Sequence, residues 1–179
     1  MSKWSPMHES YAKRWPRFGR DQSGQSLVEF ALSAMLICTA VFGMVDFSRV
    51  LYVDEVIVNL AGEGSSLASR GTPLASTASA VQTAATPPLD FAGHGRVIVS
   101  SIYNNNNVLT LTGQSALGGL TATSRIGSTV NGVVRLPVNA TPQVGQTVFV
   151  TEVFYSYHAI TPFGSMLNIP SQLYDVAYY

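Results

Sequence analysis

The chain has 179 residues and a balanced formal charge, ten Lys and Arg against ten Asp and Glu. That length suits one domain plus an anchor and not two full cores, and the balance removes overall charge as a reason to expect a nucleic-acid partner. A single cysteine, Cys38, excludes an intramolecular disulfide and a cysteine-based metal centre.

The charges are unevenly placed. Residues 1–24 form a basic leader with Lys3, Lys13, Arg14, Arg17 and Arg20 against Glu9 and Asp21. Residues 25–45 follow as an apolar run of 21 with one charge, Glu29. As a helix this run is about 31 Å long, close to the thickness of a bilayer's hydrocarbon core. The basic flank before it, and Asp46, Asp54 and Glu55 soon after it, predict a cytoplasmic N-terminus and an extracytoplasmic remainder. A cleaved secretory signal shares the basic flank but has a shorter apolar core, so a retained transmembrane helix is the better reading. Glu29 is the anomaly, since a charge at the bilayer centre costs about 2.5–3.5 kcal/mol on insertion scales and less near an edge. Cys38 reads as a small buried apolar residue; bulky Ile37 before it disfavours a lipoprotein anchor.

The helical pattern runs on past the membrane. Over residues 46–70 an apolar seam recurs at Val50, Val53, Ile57, Leu60, Gly64 and Leu67, while Glu55, Asn59, Glu63, Ser66 and Arg70 follow another face. Asp46 and Arg49 are spaced to pair at i, i+3. Gly62 and Gly64 weaken the last turns, leaving a bend or early stop open, and Gly71 and Pro73 supply the stop. Unbroken over residues 25–70, the helix is about 69 Å long, so its outer half must bury its seam on something else.

Residues 71–179 hold only six charges, Asp90, Arg96, Arg125, Arg135, Glu152 and Asp175, among many Thr, Ser, Asn, Gly and β-branched residues. "LASTASAVQTAAT" predicts a short second helix and "TPPLDFAGHG" breaks it. "RVIVSSIY" and "VLTLTG" read as a hairpin closed by the asparagines 104–107, which tolerate left-handed φ. "GQTVFVTEVFYSYHAI" is the strongest strand, and residues 118–137 are ambiguous. The last residues read as a loop and a short closing segment. The expected fold is α+β and pilin-like, a long N-terminal transmembrane helix with a small antiparallel sheet packed on its outer half.

Catalytic patterns are missing from the sequence. His8, His94 and His158 are far apart along the chain, with no H-x-x-x-H pair, and a metal site would need them to converge by folding. There is no G-x-S-x-G elbow and no P-loop. Asp54 and Glu55 diverge by about 100° on a helix, which makes them a solvated face. Asn139-Ala140-Thr141 matches a glycosylation acceptor but precedes Pro142 and reads as a loop. Phe149, Phe154, Tyr155 and Tyr157 alternate on a strand, which predicts one core face and one exposed face. No residue set argues for an enzyme, a cofactor or a metal.

The stretch "SGQSLVEFALSAMLICTAVFGMVDFSRVLYVDEVIVNLAGEGSSLASRG" resembles the N-terminal signature of the TadE-like pseudopilins, minor components of tight-adherence (Flp) pili and relatives of type IV pilins. Gly24, Glu29 and Phe30 occupy that signature's glycine, glutamate and aromatic positions. "FGMVDFSRV" is similar to the family's acidic-Phe-x-Arg turn, with looser agreement at Gly62, Ser65 and Ser66. "VTEVFYSYHAITPF" and "LYDVAYY" resemble its closing pattern, without the usual basic ending. The resemblance implies a prepilin peptidase that cuts between Gly24 and Gln25. It implies assembly through Glu29 and Phe30 with other pilin or pseudopilin subunits and an inner-membrane assembly platform, and a role in adhesion or biofilm formation. The glycine fits such a cut, because it offers no side chain to a protease cleft, and Glu29 then lies one turn into the mature helix near its positive end. A type II secretion pseudopilin, or a single-pass protein whose outer domain binds a partner without forming a filament, stays open beside it.

Overall fold

The computed structural model describes residues 22–85, 89–161 and 170–179, and the basic cluster of the leader and His8 lie outside them. The chain divides into two compact units, residues 1–39 and 40–179. A single helix, α1 (Gln22–Ser69), supplies the described part of the first unit and continues into the second without a break at Gly62 or Gly64.

In the first unit the helix turns its apolar side chains outward. Leu27, Val28, Phe30, Leu32, Met35, Leu36 and Ile37 are all exposed, and the most apolar 18-residue window of α1 has a mean hydropathy of 2.0 with none of it buried. A helix that is apolar all round and uncovered by its own protein fits a membrane and not water. Cys38 is exposed on this surface, contrary to the buried position expected of it. Its apolar surroundings are outside the protein, not inside it.

In the second unit α1 becomes one-sided. Val53, Ile57, Leu60, Ala61 and Ala68 are buried, Val50 is half-buried against the same cluster and Leu67 is also half-buried. Asp54 and Glu55 face outward. The helix ends where Gly71 takes a φ of +89°, and its N–H and that of Thr72 cap the carbonyls of Ala68 and Leu67. Pro73 then opens α2 (Leu74–Ala84), and Asp90 opens the single turn α3 (Phe91–His94).

The four strands β1 (Gly95–Asn105), β2 (Val108–Leu117), β3 (Thr147–Ser156) and β4 (Gln172–Tyr178) form one antiparallel sheet in the order β2-β1-β3-β4. The predicted architecture of a long apolar helix followed by a small antiparallel sheet is thus the observed one. Asn106 and Asn107, at φ of 50° and 67°, make the tight turn between β1 and β2. One sheet face carries Val97, Val99, Val153, Tyr155 and Leu173 into the cluster shared with α1 and α2. The other face carries Ile102, Leu111, Val148 and Val150 into a second cluster, covered by Ile126, Val134 and Leu136 of the long β2–β3 connection. The expectation of one exposed strand face is overturned: Phe154, on this second face, is buried, as Tyr155 and Tyr157 are on the first. The connection adds no strand of its own; it meets β2 through the isolated bridge Thr110 to Val133 and a few backbone hydrogen bonds, among them Leu111 N–H to Gly132 and Val134 N–H to Leu109.

The two helical glycines differ in what surrounds them. A Cβ on Gly62 would meet nothing within 4 Å, whereas one on Gly64 would sit 2.7 Å from Thr151 Cγ2 and 3.0 Å from Val81 Cγ2. At Gly64 side chains of α2 and β3 lie directly against α1, so a side chain there must push on buried neighbours. Gly62→Ala is expected to stabilise the protein by about 0.5–1 kcal/mol through helix propensity. Gly64→Val is expected to destabilise it by about 1–3 kcal/mol through overpacking. Thermal unfolding of the detergent-solubilised chain checks both, and equal responses at the two positions would refute the contact reading.

Candidate functional site

At the start of α1, Gly24, Gln25, Glu29 and Phe30 all project from an uncovered helix. Nothing within 4 Å would obstruct a Cβ at Gly24. Gln25 Nε2 donates to Glu29 Oε1 at 3.0 Å, an i, i+4 contact that aims the carboxylate back along the helix toward its N-terminus. Phe30 is 74% exposed beside it. Gly24 is helical, so a protease that binds extended backbone must unwind the helix there.

Where α1 leaves the apolar run, Asp46 is fully buried. Its carboxylate accepts from the backbone N–H of Ile160 at 3.1 Å and of Thr161 at 3.3 Å, and from the Thr161 hydroxyl. Tyr157 donates its hydroxyl to the Asp46 carbonyl at 3.4 Å, and burial raises the Tyr157 phenol above its ordinary value. Asp46 therefore ties the chain beyond β3 to the helix. This corrects two sequence readings. Among the described residues its carboxylate makes no ion pair with Arg49, because the residue 160–161 backbone offers it several donors. The Asp-Phe-x-Arg stretch is uninterrupted helix and not a turn.

Arg49 lines a pocket of about 280 Å³ with Leu89, Asp90, His94, Tyr155 and His158 among its walls. The Asp90 carboxyl is held below its usual range, first by the Gly93 N–H and also by His94. His94 and His158, distant in sequence, come within 5.7 Å between ring centroids. Among the described residues, no three His, Cys, Asp or Glu side chains gather as a metal would require.

On the opposite sheet face Glu152 is fully buried. Its carboxylate takes hydrogen bonds from the Ser124 hydroxyl, the Arg125 N–H at 2.8 Å and the Tyr174 hydroxyl at 3.1 Å. The Arg125 guanidinium lies 3.9 Å from the Tyr174 ring centroid. Burial, and next to it the Glu152 charge, push the Tyr174 phenol well above its ordinary value. This constellation pins the β2–β3 connection over the sheet. Sequence reasoning passed over it because a lone glutamate in an alternating strand carries no mark of its partners.

An exposed apolar helix compatible with membrane anchoring, continuous with the helix of a small antiparallel-sheet domain, defines an α+β protein with a long N-terminal apolar helix. Residues 24–66 match the family model described as TadE-like protein. Over that segment the chain is similar to TadE-like proteins. No curated protein and no solved structure matches the chain.

Proposed function

We propose that the protein is a minor pilin of a tight-adherence pilus, cut after Gly24 by a prepilin peptidase and assembled through Glu29 with other pilin subunits at an inner-membrane platform. The N-terminus faces the cytoplasm before the cut, and the sheet domain lies outside, where it serves pilus assembly, adhesion or biofilm formation. The observation that carries this reading is Glu29 itself. It stands five residues after Gly24 on a helix whose apolar surface is uncovered, and among the described residues its hydrogen-bond partner is the side chain of the residue that would become the new N-terminus. A carboxylate placed there has a use if a neighbouring subunit brings a freed amine. It is a cost of membrane insertion if none does.

N-terminal sequencing of the protein recovered from sheared pili is expected to begin at Gln25. A membrane form that keeps residues 1–24 and never enters the pilus fraction would favour a single-pass protein without a filament role.

A further inference from the structure

We propose that the pocket beside Arg49 holds a zwitterionic phospholipid headgroup, with its phosphate on Arg49 and its ammonium on Asp90. This rests on the reading of residues 25–45 as the membrane span. Arg49 lies four residues past Val45, about 6 Å further along the helix. The polar layer on each side of a bilayer is roughly 5–8 Å deep, so the pocket opens at headgroup depth.

Its chemistry points the same way. The Nε of Arg49 is buried without a hydrogen-bond partner, although buried donors are normally satisfied, and a guanidinium with an unengaged N–H suits an oxyanion. The Asp46 carboxylate nearby acts on Arg49 through its charge, but its oxygens are engaged by Ile160 and Thr161. Asp90 supplies the opposite charge. It is held in place by Gly93 at 3.0 Å and His94 at 3.2 Å, and each oxygen keeps acceptor capacity toward the pocket. A purely anionic ligand would meet Asp90 as a like charge, whereas a phosphate with an adjoining ammonium matches both walls. His94 and His158 add ring nitrogens to the wall, and Val53 and Leu89 offer an apolar surface to the lipid stem.

The test titrates the full chain in detergent micelles with short-chain phosphatidylethanolamine, with phosphatidylglycerol of the same chain length, and with inorganic phosphate. The readout is the imidazole resonances of His94 and His158, assigned with His94→Gln and His158→Gln. Phosphatidylethanolamine is expected to shift both resonances saturably, with binding of the other two about tenfold weaker. Arg49→Gln should lose about tenfold in affinity, the scale of one charge-assisted hydrogen bond, while Arg49→Lys keeps most of it. Unchanged binding in Arg49→Gln, or equal binding of phosphatidylglycerol or inorganic phosphate, would overturn the proposal. Flotation with lipid vesicles separates the two readings. A wild-type chain that does not float defeats the membrane span, whereas normal flotation without headgroup selectivity defeats the headgroup site alone.

Discussion

Replacing Glu29 by Gln should leave the protein in the membrane and out of the filament. The two side chains have the same shape and nearly the same helix propensity, and Gln can still accept the hydrogen bond that Gln25 gives to Glu29. The helix should therefore form as before, and insertion should become easier once the charge is gone. What the substitution removes is the attraction to a neighbour's freed amine. At 4 Å and an effective dielectric of 20, that attraction is about 4 kcal/mol before desolvation. Desolvating both groups offsets much of it, so the pair acts mainly in fixing axial register between subunits. The variant is thus expected at wild-type level in the membrane fraction and depleted at least severalfold from sheared pili. Equal recovery from the pili would remove Glu29 from assembly.

The parts of the fold that could be read from sequence are those set by local pattern. Apolar continuity over residues 25–45 and the seam beyond it predict a helix that outlasts a membrane span, and α1 does so. The four asparagines predict a turn, and two of them adopt the positive φ it needs. What could not be read depends on chain segments meeting across long separations. Asp46 looked like a surface partner for Arg49 because spacing is visible and a loop 114 residues away is not. His94 and His158 looked unrelated because nothing local announces that α3 and the end of β3 share a pocket. The second face of β3 looked exposed because residues 118–137 have little periodicity. Their cover comes from single apolar residues and from polar anchors such as Ser124, not from a regular element. Gly24, Gln25, Glu29 and Phe30 form the reverse case. Their placement on the helix follows from pattern alone, but their role concerns a protease and a neighbouring subunit, which one chain does not contain.

Glu152→Ala is expected to destabilise the outer domain by about 3 kcal/mol or more, a large share of the stability of a domain this size. The carboxylate is fully buried on β3 and is satisfied by three donors. Hydrogen bonds to a charged group are the strong kind, and deleting the acceptor leaves the Ser124 hydroxyl, the Arg125 N–H and the Tyr174 hydroxyl to find partners elsewhere. Two of these donors belong to the β2–β3 connection and one to β4, so the loss should spread to both sides of β3. The connection should open first, because its backbone has few ladder bonds of its own, and its opening would uncover the cluster around Ile102 and Val150. Glu152→Gln is the informative companion. It keeps the volume and one acceptor oxygen, yet it turns an NH2 toward donors, so its loss should be smaller than that of Ala but clearly measurable. Thermal unfolding gives the global cost, and hydrogen exchange across residues 120–136 reports the local opening. Exchange in the connection that is unchanged in Glu152→Ala would show that the apolar contacts of Ile126, Val134 and Leu136 hold it in place without the glutamate.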